Sequence, residues 1–204
     1  MEGAVAVGFY IRVFAESDRK ASLTELRTVL GTGFGLIVEE GEDDQWSQLL
    51  LKHKDGPEIA LIERDPVTPE GLGQEEIAEQ LNEIQHYQPP SAVEWLSSYL
   101  PRVKVIYAMQ LLSGTDVNDG WSAVLRVQAY FWKKFGGILQ ADNEGFTNRE
   151  GQHILWQFHG EQQGELNVAV LSQDGAWVPF SIDMSHAGQV AAFCRGEIPK
   201  GVAR

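Results

Sequence analysis

The residue types able to do chemistry in this chain are five histidines, one cysteine and 29 acids, and their spacing decides what chemistry they can share. Asp142, Glu144 and His153 form the one mixed oxygen–nitrogen set that suits a divalent metal, with both acids at a turn and the histidine on the next strand. That set gives an alternative reading as a metal-assisted hydrolase. The plainer reading is a polar patch on an open sheet face. None of the histidines forms the i, i+4 pair of a helical zinc site, and His153 and His159 lie about 20 Å apart along a strand. Cys194 is the single cysteine, which excludes an internal disulfide framework and any Cys-based zinc site. Two helical turns, about 12 Å, separate it from His186, too far for a thiolate–imidazole dyad, so it reads as a small buried hydrophobe.

Other motifs fail on position. In Gly31-Thr32-Gly33-Phe34-Gly35 the third glycine is misplaced for a dinucleotide loop, and the cluster follows a helix instead of opening one. It reads as a helix C-cap and turn. The loops Asp116–Gly120 and Asp142–Gly145 carry calcium-type oxygens, but their glycines fall at the fifth and fourth places where an EF-hand needs the sixth. There is no Gly-x-Ser-x-Gly elbow. No motif calls for a cofactor.

Charge is the more informative signal. The chain has 16 bases against 29 acids, a net of −13, which disfavours nucleic acid and anionic membrane as partners. Residues 1–102 hold 8 bases and 19 acids, a net of −11, and residues 103–204 a net of only −2. Two segments concentrate the excess. Glu39, Glu40, Glu42, Asp43 and Asp44 crowd one loop, just before Trp46 with Gln45 between. Glu75, Glu79 and Glu83 are spaced by four and make one stripe of a helix, opposite a buried stripe of Ile77, Leu81 and Ile84. Like charges four apart destabilise a helix by roughly 0.2–0.5 kcal/mol per pair, so the stripe reads either as a solubilising face or as a docking surface for a basic protein. Trp46 and Trp177 are the candidate exposed anchors, while Trp121, Trp132 and Trp156 fall in phase with core positions. A cleft lined by Trp95, Tyr99 and Tyr107 is a further expectation.

The elements that must hold these residues alternate cleanly. A strand over Val7–Phe14 leads to a helix opened by the capping box Ser22–Glu25, then a strand at 36–38 and a hairpin of 46–54 with 58–64. The acidic helix spans about 74–86. Pro89-Pro90 marks a hinge, and Ser91–Glu94 a second capping box. A strand at 103–111, a long helix over 120–135, strands near 137–142, 152–159, 165–171 and 176–182, and a helix at 186–194 complete the chain.

The pattern predicts an α+β fold with antiparallel or mixed sheets, helices packed on one face, and a tandem duplication of a β-α-β-β-β-α unit. Residues 1–88 form the first, acidic unit, and 89–204 a linking helix plus a second unit, the two packing as separate modules or as one continuous domain. The function expected is a non-catalytic interaction protein, immunity-like or antitoxin-like by class analogy. It is expected to be cytoplasmic and either a monomer or a homodimer through an exposed sheet edge. Met1–Phe9 lacks the basic start and apolar run of a secretory signal, and no apolar stretch approaches 18 residues.

Overall fold

A computed structural model describes residues 8–202. Val7 and most of the segment on which the signal-peptide expectation rests lie outside them. The first half of the chain runs β1 (Tyr10–Ala15), α1 (Leu23–Leu30), β2 (Phe34–Glu40), β3 (Gln48–His53), β4 (Glu58–Pro66) and α2 (Leu72–Glu83). It continues through α3 (Pro90–Tyr99), β5 (Val105–Leu111), α4 (Gly120–Phe135), β6 (Ile138–Ala141), β7 (Gly145–Thr147), β8 (His153–Trp156), β9 (Glu165–Leu171), β10 (Trp177–Asp183) and α5 (Ala187–Cys194). The α+β expectation holds. β7 is the element that sequence patterning missed, because three residues are too few to show alternation.

All ten strands form one mixed sheet in the order β10-β9-β8-β7-β6-β1-β5-β4-β3-β2. Every pairing is antiparallel except β8 with β9. β1 lies between β5 and β6, so the centre of the sheet interleaves the two halves of the chain. The strand order does not repeat. After α1 the chain crosses to the far edge and works inward through β2, β3 and β4, whereas after α4 it starts beside β1 and works outward through β6, β7 and β8. The duplication suggested by the element string is therefore not supported.

Helices cover both faces, which corrects the expectation of one. On β1, Val13 joins the core under α1 and α4, while its neighbour Phe14 joins the core under α2 and α3. The first core is built on Tyr107, whose ring stacks on Phe131 at 4.2 Å and 8°. A third cluster seats Phe193 of α5 on Val168, Val170, Phe180 and Ile182, which point away from Ala169 of the α2/α3 face. Strands of this sheet thus alternate two apolar sets instead of apolar with polar, a pattern that one-sided burial does not produce.

Several local readings change. Ser22 makes no side-chain cap, and Glu25 reaches Tyr130 and Lys134 instead of its own helix start. α3 starts at Pro90 with Pro89 ahead of it, so Ser91 lies inside the helix. The expected hinge is pinned to the sheet, since the Gln88 carbonyl accepts from the Trp156 amide at 2.8 Å. Among the described residues no helix is long and apolar enough to cross a membrane.

Candidate functional site

The acidic loop extends from an edge strand. β2 is the outermost strand at its end of the sheet. The Lys54 amide donates to the Gly33 carbonyl at 3.0 Å. By antiparallel alternation, Gly35 and Ile37 then bond to β3, and Phe34, Leu36 and Val38 turn their amides and carbonyls outward. On the α2/α3 side, Ile37 is 44% exposed and stands in register with the half-buried Leu50 and Leu61. Beyond Val38 the register shifts, and Glu39, Glu40, Glu42 and Asp43 follow, all exposed. None of these four is in an ion pair among the described residues.

The loop is a fixed turn. Gly41 has φ of 91°, and a Cβ there would come within 2.7 Å of the Gln45 carbonyl oxygen and the Trp46 Cα. Trp46 is not the exposed anchor expected. It is 1% exposed, packs on Tyr107 and Phe131, and donates its indole N–H to the Ala21 carbonyl at 3.2 Å. Asp44 also has a structural task. Its Oδ1 accepts the Leu23 amide at 2.7 Å, capping α1 from a distant loop in place of the local Ser22 box. The expected partner-binding set therefore divides: Trp46 and Asp44 anchor the turn, and the other four carboxylates are displayed by it.

Glu75, Glu79 and Glu83 are exposed on α2, and Glu83 accepts from Gln157 at 3.2 Å. The carboxylate that turns inward on this helix is Glu76, which sequence reading passed over. It lies 2.7 Å from Arg12 Nε, close but poorly aligned for a hydrogen bond, while Arg12 Nη1 donates to Gln140 at 2.8 Å and pairs with Asp142. Asp142 also accepts the Tyr10 amide at 2.9 Å. Arg12 thus ties α2, β1 and the end of β6 into one half-buried polar joint. Its signal in the sequence was a lone base inside an apolar strand.

The proposed metal set is not brought together. Asp142 is committed to Arg12, and His153 is packed among Trp156, Phe158 and Phe193 on the α5 side. Burial lowers His153 to about 4 and keeps its ring neutral. Glu144 is raised by burial alone. Among the described residues, no three His, Cys, Asp or Glu side chains converge as metal ligands.

The aromatic cleft exists with different walls. Trp95 stacks on Tyr99 at 4.9 Å and meets Trp177 edge-on at 5.3 Å, beside Glu16, Asn148, Arg149 and Glu150, around about 240 Å³. Tyr107 is on the opposite face of the sheet, in the first core. Asn148 is 1% exposed, and its Oδ1 accepts the amides of Glu150 and Gln152 while its Nδ2 has no partner.

Comparison with protein-family models, with curated proteins and with solved structures finds no match for this chain.

Proposed function

We propose that this chain is a non-catalytic interaction protein that receives an extended, basic segment of a protein partner along β2. The observation that carries this reading is a turn anchored by Asp44 and Trp46 that presents four carboxylates outside any ion pair among the described residues, continuous with the outward-facing backbone of an edge strand. Strand addition would supply main-chain hydrogen bonds, the exposed Ile37 an apolar contact, and Glu39, Glu40, Glu42 and Asp43 the charge selectivity. The α2 stripe of Glu75, Glu79 and Glu83 is a separate acidic surface that adds long-range attraction for the same partner. The test is titration of a short peptide alternating lysine and valine, followed by backbone amide shifts. Binding is expected to perturb residues 34–43 and to weaken with salt. The variant Glu39→Gln, Glu40→Gln, Glu42→Gln, Asp43→Asn is expected to lose about tenfold in affinity, or about 1.4 kcal/mol. Equal binding by both proteins, or shifts confined to other elements, rules the reading out.

A second reading rests on the unpartnered Asn148 amide in the aromatic cleft. Arg149 and Asn148 offer donors there, Glu16 and Glu150 offer acceptors, and the aromatic rings offer apolar faces. A small, uncharged, hydroxylated ring satisfies all three kinds of group, and the cleft is below the roughly 300–1,000 Å³ of drug-sized sites. Saturation-transfer measurements with neutral monosaccharides are expected to give signal on ring protons that Trp177→Ala removes. Silence from every sugar at millimolar concentration excludes this reading.

A further inference from the structure

The sequence places Trp121 on the buried stripe of α4, yet Trp121 is 43% exposed. Its indole N–H donates to Asp116 Oδ1 at 3.0 Å, which fixes the ring on the surface. Leu125, one turn on, is 53% exposed, and Val117 and Val29 are exposed beside them. These are four of the six large apolar side chains exposed among the described residues. Ala129 continues the row and opens into a shallow groove of about 510 Å³ between α1 and α4, lined by Val29, Arg126, Tyr130, Lys133 and Lys134. The row Trp121, Leu125, Ala129, Lys133 is an i, i+4 ridge with a small residue in its second half. Its charges are ordered along the helix. Asp116 and Asp119 flank the start, and Lys133 stands near the end. Arg126 donates to the Leu30 carbonyl and Lys134 pairs with Glu25, whereas Lys133 has no partner among the described residues.

We propose that this face binds a second copy of the chain, as a two-fold dimer with the α4 helices running in opposite directions. The ridge is self-complementary in that arrangement. An axis between Leu125 and Ala129 seats Leu125 of each copy on Ala129 of the other, with the two i, i+4 ridges crossing near the −50° typical of such packing. The same axis brings Lys133 of each copy to Trp121, Asp116 and Asp119 of the other, as a cation–π contact with an acid behind it. A fixed, half-exposed tryptophan beside a leucine is the composition of an interface centre. The contact is isologous and closed, so it stops at two copies.

Sedimentation velocity and light scattering across a concentration series test this. Wild type is expected to approach twice the 22.7 kDa chain mass. Leu125→Glu is expected to remain monomeric and, because the site is exposed, to melt with wild type at dilutions where both are monomers. Lys133→Glu is expected to weaken the dimer, and Asp119→Lys in the same chain to restore it. A wild-type monomer at hundreds of micromolar overturns the proposal. So does a mass that keeps growing with concentration, or a dimer that survives Leu125→Glu and is broken by Ile37→Lys at the β2 edge.

Discussion

Asp65 lies on β4 beside Glu63 and Glu76, and burial together with that crowding raises its carboxyl from 3.8 to about 6. A raised acid contributes stability that is complete below about 4 and lost as pH climbs through 6. His153 works in the other sense. Its folded value of about 4 lies below the ordinary 6.5, so its contribution is present above 6.5 and lost as pH falls toward 4. The histidine is fully buried and is worth about 3 kcal/mol across its window. The aspartate is partly exposed, and solvent screening cuts its share to about 1–2 kcal/mol. Between pH 4 and 6 the two slopes oppose one another. Asp65→Asn is expected to be more stable than wild type at pH 7, equal to it at pH 4, and to show a steeper rise with pH between them. Urea denaturation at several pH values measures this, and an unchanged profile contradicts the assignment.

At the scale of elements, the turn after β2 separates residues that build from residues that display. Asp44→Ala removes the carboxylate that caps α1 and is expected to cost about 1 kcal/mol. Glu42→Ala, two positions earlier, removes an exposed carboxylate that is in no ion pair among the described residues and is expected to stay within about 0.5 kcal/mol of wild type. Paired thermal melts decide it, and equal losses would show that the cap is not made. The same turn marks where reading the chain stopped working. Helix α4 was legible to its end residues, because Phe131, Phe135 and their partners hold the 3.6 period and Gly136 ends it. The hairpin of β3 and β4 was legible from its Asp-Gly turn. Asp44, Glu76 and Arg12 were not, since each takes its role from a partner more than 20 residues away along the chain. Trp46 and Trp121 exchanged roles for a similar reason. The placement of either ring depends on which neighbour accepts its indole proton, the Ala21 carbonyl in one case and Asp116 in the other.

For the molecule as a whole, the acidic excess and the apolar ridge belong to different surfaces. The acidic excess of the first half is concentrated at the β2 edge and the outer face of α2, while the exposed apolar row lies on α4 with a lysine at its end. A dimer through α4 leaves both β2 edges open, so the two proposed contacts are compatible and give a bivalent particle. Binding a basic ligand is expected to leave the concentration dependence of the dimer's sedimentation unchanged, and Leu125→Glu is expected to bind the lysine–valine peptide with wild-type affinity. A variant that loses both properties together would show that one surface serves both.

One pairing in the sheet has a mechanical consequence. β8 meets β9 through a single parallel residue pair, His153 with Val168, whereas β9 and β10 share seven antiparallel pairs and their own cluster with α5. The backbone is thus knitted as eight strands plus two. Amides of residues 165–171 and 177–183 are expected to exchange with deuterium by a common opening smaller than global unfolding. Pulled from its carboxyl end, the molecule is expected to give way at that seam, shedding the last hairpin in one early step while the eight-stranded remainder still bears the load.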